Sequence, residues 1–274
     1  MRNNFKYKVV LYYCIIFYLL MLYKWSNDLF LYQSEPSFFY TRQDVFTWLF
    51  MQIGLHQWLL NNPPGWILAD LLFYSMPFIY LIIYRYKNNA ANITAVVMLL
   101  VNYCYLQCYA LYPTNSIESY IAWLLFPVAF IPKKEKTFIL IFDGLRYFIL
   151  FFFASAAVWK FVQGGIFNVS EMSGILLYQH NQLLTNSPGY WLTSFYFYLI
   201  KHQYLSYSLY LSATLLEACF IIGFFTKKYD RVLAFLFLVF LLMDWLIMRI
   251  PYFEVSALML TLLLKSPENK QQPA

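Results

Sequence analysis

The ionisable side chains inside long apolar stretches are the residues of this chain whose types and spacing point to chemistry. Asp143 and Arg146 stand three residues apart in one such stretch, so they lie on one face of a predicted helix and form a predicted ion pair. Glu217, near the middle of another stretch, is a second candidate partner for Arg146. A charge within a membrane is costly, so an ionisable residue there is a candidate functional residue. The structural alternative is an ion pair that fixes the packing of the helices.

Further ionisable groups collect toward one end of the apolar stretches. Lys160 ends the stretch that contains Arg146, and Asp244 lies near the matching end of a later stretch. His180 flanks an aromatic segment on the same side. At about 1.5 Å per residue, Lys160 and Arg146 share a helix face about 20 Å apart along the axis. Snorkelling of the amine to lipid headgroups is the alternative interpretation of Lys160.

Other kinds of site are not indicated. The three histidines have no ligand spacing, which argues against a metal site. The sequence contains no phosphate-binding loop, no nucleophile elbow and no zinc-protease helix. All four cysteines lie inside apolar stretches and do not form a disulfide framework.

The elements that must position these residues are predicted to be transmembrane helices. The chain is 62% apolar and 12% charged, whereas soluble domains have roughly 45–50% and about 25%. We therefore predict an all-α, polytopic bundle that forms a single integral membrane domain over residues 1–274. The eight predicted spans are 9–23, 65–84, 92–112, 117–131, 137–160, 204–226, 231–249 and 252–264.

The basic residues alternate between heavily and lightly charged loops, which predicts the orientation of the bundle. Thirteen lie in one set of loops and five in the other, an asymmetry that marks the heavier set as cytoplasmic. Both termini are then cytoplasmic, and a bacterial inner membrane is the expected location. The net charge of +6 sits in these short loops, so anionic lipid headgroups rather than nucleic acid are the expected partner. The thirteen are Arg2, Lys6, Lys8, Arg85, Lys87, Lys133, Lys134, Lys136, Lys227, Lys228, Arg231, Lys265 and Lys270.

Two aromatic segments on the outer side are predicted to be interfacial helices. Residues 25–64 and 161–203 are rich in Trp, Tyr and Phe, whose rings are enriched at the boundary between lipid and water. Anchoring in this boundary accounts for their composition. The alternative is that they cover a pocket within the membrane.

A family resemblance begins at residues 145–184, which read LRYFILFFFASAAVWKFVQGGIFNVSEMSGILLYQHNQLL. An apolar span ends in small residues at 154–157 and is followed by Lys160. This pattern resembles the transmembrane domain of the vitamin K-dependent gamma-carboxylases and their bacterial relatives, the HTTM family. The resemblance extends to the helix that carries Glu217 and to SIESYIAWLLFPVAFIPKKEK, and the sixth and seventh spans also look like the DoxX/MauE type of membrane protein.

The resemblance implies a quinone-linked or lipid-linked role. Lys160 would occupy the position of the lysine that is associated with reduced vitamin K in the carboxylases, and it would act as base or ligand contact. An amine between apolar walls is less stable in its charged form, so it is a usable base toward a quinol hydroxyl. Trp159 would supply an apolar wall and His180 a second proton carrier. Arg146, Glu217 and Asp244 complete the predicted ligand-binding set. Protein carboxylation is not expected, because no segment corresponds to the soluble domain of the carboxylases.

Two other functions remain open at this point. The first is a non-catalytic membrane partner or assembly factor for another redox or export protein. The second is a transporter, although the chain shows no inverted repeats and no matching pair of Gly/Pro-broken spans.

Overall fold

The computed structural model describes residues 4–33, 45–86, 88–110 and 120–266, and it confirms the all-α fold. Of these residues, 84% are helical and none belongs to a strand. The chain divides into two compact units, which we call the first unit (1–145 with 252–274) and the second unit (146–251).

The chain is an integral membrane protein with about six membrane-crossing helices rather than the eight predicted. Six helices in the described part of the chain are long and apolar enough to cross a bilayer: Phe5–Ser26, Pro64–Tyr86, Ala90–Cys108, Glu135–Val162, Gln203–Phe225 and Asp230–Met248. The predicted fourth and eighth spans correspond to the shorter apolar helices Ile121–Phe130 and Phe253–Leu263. Helices this short reach only about half of the roughly 30 Å of hydrocarbon. Residues 111–112 of the predicted third span and 117–119 of the fourth lie outside the described residues.

The first unit is built from long helices joined by short ones, with the first part of α7 (Glu135–Val162). Its helices are α1 (Phe5–Ser26), α2 (Val45–Ile53), α3 (Leu55–Asn61), α4 (Pro63–Tyr86), α5 (Asn88–Ala110), α6 (Ile121–Phe130) and α14 (Leu260–Leu263), with a 3-10 helix at Phe253–Met259. Aromatic side chains fill its core, as in the stack of Phe73 on Tyr105 with ring centroids 3.8 Å apart. Such pairs add to the burial of apolar area.

A proline inside α4 is accommodated by a neighbouring tyrosine. Pro77 has no N–H, so it interrupts the hydrogen bonding of its helix. The Tyr18 hydroxyl donates to the Tyr74 carbonyl at 2.9 Å and accepts from the Phe78 N–H at 3.1 Å. A side chain of α1 thus satisfies backbone groups beside the break, as a helix in lipid requires.

Lys6 caps the C-terminal end of α6, and its side chain is buried rather than exposed to solvent in a loop. Its buried ammonium donates to the carbonyl oxygens of Phe130 and Pro132, each at 2.7 Å. A cation is favourable at a helix C-terminus, where carbonyl groups have no partner within the helix. One of the thirteen basic residues that indicate orientation therefore also has a structural role.

A second buried lysine links α1 to the 3-10 helix of the first unit. Lys24 lies 2.7 Å from Glu254 and donates to the Tyr120 hydroxyl at 3.1 Å. Its ammonium also lies 4.6 Å from the centroid of the Tyr120 ring. Both charged side chains are almost fully buried.

The second unit continues α7 and adds the helices that surround the candidate site. These are α7 (Glu135–Val162, from Arg146 onward), α8 (Glu171–Gln179), α9 (Asn181–Asn186), α10 (Trp191–Lys201), α11 (Gln203–Cys219), α12 (Ile222–Phe225) and α13 (Asp230–Met248), with a 3-10 turn at Gly165–Phe167. Gly223 allows α12 to approach α7, because an added Cβ would lie 2.4 Å from the Leu150 side chain.

The two aromatic segments do contain short helices. Residues 45–61 of the first segment form α2 and α3, and residues 34–44 lie outside the described residues. The second segment forms α8, α9 and α10, whose buried side chains Met172, Leu176 and Tyr196 pack together in one apolar cluster. Other rings of this segment, including Tyr178 and Trp191, are exposed. That these helices lie in the interface stays a prediction.

Candidate functional site

An apolar cavity within the second unit brings together several residues that the sequence singled out. It has a volume of about 390 Å³ and lies between α7, α8, α11 and α13. Most of its wall is aliphatic, sulfur-containing or aromatic, and it includes Met172, Ile175, Leu216, Phe240, Met243 and Ile247. Lys160 and Asp244 supply charge to this wall.

Lys160 is held by an ion pair with Glu217. Its Nζ donates to Oε1 of Glu217 at 2.8 Å, and the side chains are 26% and 3% exposed. The ammonium also lies 5.4 Å from the centroid of the Tyr210 ring, which lines the cavity. Lys160 is thus partly buried and paired, whereas a snorkelling side chain would extend into the headgroups.

Asp244 is the second charged residue of the cavity wall. It comes from α13 and lies within electrostatic reach of both Lys160 and Glu217. Among the described residues, its Oδ2 and the Oε2 of Glu217 are buried without a hydrogen-bond partner. The cavity lining therefore combines the ammonium of Lys160 with the carboxylate of Asp244, which retains acceptor capacity, and Glu217 pairs with Lys160.

A glycine in the turn after α7 makes room for Tyr210. A Cβ on Gly165 would lie 2.6 Å from the Tyr210 hydroxyl oxygen, so a larger residue would displace the ring. The turn itself is short, with Gly164 at a positive φ of 76°. Tyr210 was not predicted from the sequence, because an aromatic residue on an apolar helix has no distinguishing signal.

Arg146 pairs with a residue that the sequence analysis missed. Its Nε and Nη2 donate to the two carboxylate oxygens of Asp230 at 2.8 and 2.6 Å. Asp230 takes the place that the sequence analysis gave to Asp143 and Glu217. Asp230 approaches from the start of α13, where both of its carboxylate oxygens accept hydrogen bonds from the guanidinium. Asp143 itself is half-buried on α7.

The same guanidinium orders the turn between α12 and α13. Nη2 of Arg146 also donates to the carbonyl oxygens of Gly223 and Thr226, at 2.9 and 3.3 Å. These carbonyls lie at the end of α12, where helix carbonyl groups need partners. Arg146 therefore positions α13, which carries Asp244, and it is not itself part of the cavity wall.

Trp159 and His180 also lie outside the cavity wall. Trp159 is 61% exposed on α7, so it does not provide the predicted apolar wall beside Lys160. His180 is buried, with Nε2 2.8 Å from the Ile247 carbonyl oxygen and its ring stacked on Tyr196 at 3.8 Å between centroids. Its contacts indicate a structural role at the end of α13.

Burial makes the second unit sensitive to acid through His180. Loss of hydration lowers the pKa of His180, the hydrogen bond with Ile247 opposes this, and the positive charge of Arg249 lowers it further. In the unfolded chain the imidazole takes up a proton near its ordinary pKa of about 6.5, whereas the folded chain resists protonation. The contribution of His180 to the free energy of unfolding is therefore complete above the pKa of the unfolded chain. It is lost as the pH falls from there through the lower pKa of the folded chain.

We expect the melting temperature of the wild-type protein to fall as the pH is lowered from 7.5 to 5.5. Protonation of His180 lowers the free energy of unfolding by up to about 1.4 kcal/mol per pH unit in this range. The measurement is thermal unfolding in a fixed detergent across this range. His180→Gln should flatten the profile, while His202→Gln, at an exposed position, should not. An unchanged slope in His180→Gln would show that another group causes the effect.

The described residues hold no metal cluster, and they form a further apolar cavity. Residues 4–33, 45–86, 88–110 and 120–266 contain no group of three His, Cys, Asp or Glu side chains that could hold a metal ion. A second apolar cavity of about 340 Å³ lies within the first unit, and Trp58, Cys104 and Cys108 are among the residues that line it. The four cysteines are free thiols.

Comparisons of this chain with protein-family models, with curated proteins and with solved structures gave no match.

Proposed function

We propose that the protein binds a small lipid-soluble molecule of the quinone class in the cavity of the second unit. The observation that carries this proposal is an apolar cavity of about 390 Å³ whose lining includes two charged residues, set among membrane-spanning helices. Its volume falls within the roughly 300–1,000 Å³ of small-molecule pockets, and an apolar lining with a few polar groups is typical of them.

Lys160 is the proposed contact to the polar head of the ligand. The resemblance to the HTTM family implies a base at this position. In the structure Lys160 pairs with Glu217, and its remaining N–H groups donate to an oxygen of the ligand. Tyr210 and Phe240 also line the cavity and offer aromatic rings for a flat ligand.

We also infer the orientation and location of the bundle. The proposal keeps both termini in the cytoplasm and places the protein in a bacterial inner membrane, and the alternating charge of the loops supports it. Because Lys160 lies toward the end of α7, this proposal includes a cavity that faces the outer leaflet.

Mass spectrometry of lipids that co-purify with the protein from its native membrane tests the proposed binding. Wild-type protein should retain a quinone, and Lys160→Met should retain about tenfold less, because a charge-assisted hydrogen bond is lost. Lys201→Met is the matched control, since Lys201 is exposed at the end of α10. Its retention should equal that of the wild type.

A cavity-filling variant separates ligand loss from unfolding. Lys160→Met leaves the buried Glu217 without its cation, so it can destabilise the protein. Ala213→Phe keeps the ion pair and places a ring in the cavity, because Ala213 lines it. Ala213→Phe should abolish retention while the protein remains folded. Absence of any enriched lipid-soluble molecule in the wild type would contradict the proposal and favour the non-catalytic membrane partner.

A further inference from the structure

We infer that Asp244 selects the head group of the ligand and that this head group is a neutral hydroxyl, as in the reduced quinol form of a quinone. The inference rests on the proposed function, because it concerns the ligand of the same cavity. It adds a specificity-determining residue and the chemistry that this residue recognises.

The first step is the unmet hydrogen-bonding capacity of Asp244. Its side chain lines the cavity, and its Oδ2 is buried without a hydrogen-bond partner in the described part of the chain. A carboxylate accepts hydrogen bonds, and a buried acceptor that stays unpaired is unfavourable. A ligand that donates to Oδ2 removes this cost, whereas a ketone, an ether or an ester does not.

The second step is the charge already present in the cavity. The ammonium of Lys160 is balanced by Glu217 at 2.8 Å, and Asp244 lies within electrostatic reach of both. A cationic head group would be attracted by Asp244, but it would have to give up its hydration in an apolar cavity that already holds the ammonium of Lys160. An anionic head group would be repelled by Asp244. In a medium of low polarity both costs are large, so a neutral donor is the favoured choice.

The third step is that a hydroxyl can form hydrogen bonds with both Asp244 and Lys160. It donates one hydrogen bond and accepts others. Its proton is directed to Asp244, and its oxygen can accept from an N–H of Lys160 that Glu217 does not use. The ring or chain attached to the hydroxyl then lies against the apolar wall formed by Phe240 and Met243.

Binding of matched synthetic probes tests the inference. A 4-alkylphenol and its methyl ether differ in one hydrogen-bond donor, and an alkylammonium with the same tail carries a charge. Wild-type protein in lipid nanodiscs should bind the phenol about tenfold more tightly than the ether. In Asp244→Leu this ratio should fall below about twofold.

Two further variants distinguish an effect of the Asp244 carboxylate on this ratio from a folding defect. Asp244→Asn keeps the size of the side chain and a weaker acceptor, so the ratio should fall to about threefold. Asp28→Asn removes a carboxylate at an exposed position of the first unit and should leave the ratio unchanged.

The outcomes separate this inference from the proposed function. Equal binding of phenol and ether by wild-type protein would overturn the role of Asp244 while leaving the cavity as a ligand site. Tighter binding of the alkylammonium than of the phenol would overturn the hydroxyl assignment. Binding of none of the probes would overturn the proposed function itself.

Discussion

Arg146→Met is expected to lower the free energy of unfolding by about 3–5 kcal/mol. Arg146 is 1% exposed, and its loss leaves the buried carboxylate of Asp230 without a counter-ion. Two hydrogen bonds to the carbonyls of Gly223 and Thr226 are lost as well. The measurement is equilibrium unfolding in mixed micelles of mild detergent and sodium dodecyl sulfate.

A double variant distinguishes the ion pair from a general packing defect. Arg146→Met combined with Asp230→Leu removes both charges, and replacing a buried pair with apolar residues is often close to neutral. We therefore expect the double variant to be more stable than Arg146→Met. Lys228→Met, at an exposed position in the turn before α13, is the control. A loss below about 1 kcal/mol in Arg146→Met would mean that the carboxylate is hydrated.

Lys24→Met is expected to destabilise the first unit by a similar amount, about 3–5 kcal/mol. The ammonium pairs with Glu254 at 2.7 Å, and both side chains are buried. Oε2 of Glu254 already lacks a hydrogen-bond partner among the described residues, so loss of Lys24 leaves the whole carboxylate unsatisfied. The cation–π contact with the Tyr120 ring is also lost.

The coupling between the two residues is measured by a double-mutant cycle. Lys24→Met, Glu254→Leu and the double variant should give a coupling free energy of at least about 2 kcal/mol, because the two side chains are in direct contact. Additive effects of the two substitutions would show that the contact contributes little. Lys8→Met, at an exposed position on α1, provides the reference for loss of a surface charge.

Much of the candidate site could be predicted from the sequence because a charge in an apolar stretch is visible by itself. Lys160, Glu217 and Asp244 were all identified in this way, and the structure places Lys160 against Glu217 and within reach of Asp244. The partners were not predictable. Which carboxylate meets which cation depends on which helices are adjacent, so Asp230 rather than Asp143 or Glu217 binds Arg146.

Sequence neighbours of a functional residue were the least reliable part of the prediction. Trp159 was expected beside the ligand because it precedes Lys160. Consecutive residues of an α-helix are rotated by about 100° from each other, so two neighbours rarely face the same cavity. Trp159 accordingly lies exposed, while Tyr210 reaches the cavity from a helix about 50 residues later in the chain.

The sequence by itself determined that this chain is an all-α membrane protein, because apolar composition over helix-length stretches leaves helices as the way to satisfy the backbone in lipid. Only the tertiary structure gave the helix lengths and the contacts between helices. It shows about six membrane-crossing helices rather than the eight predicted. It also shows that Lys6 and Lys24 are buried in structural contacts and that a cavity forms beside Lys160 and Asp244. The physical reason is that hydropathy is a property of each segment, whereas a cavity and its ion pairs belong to several helices packed together.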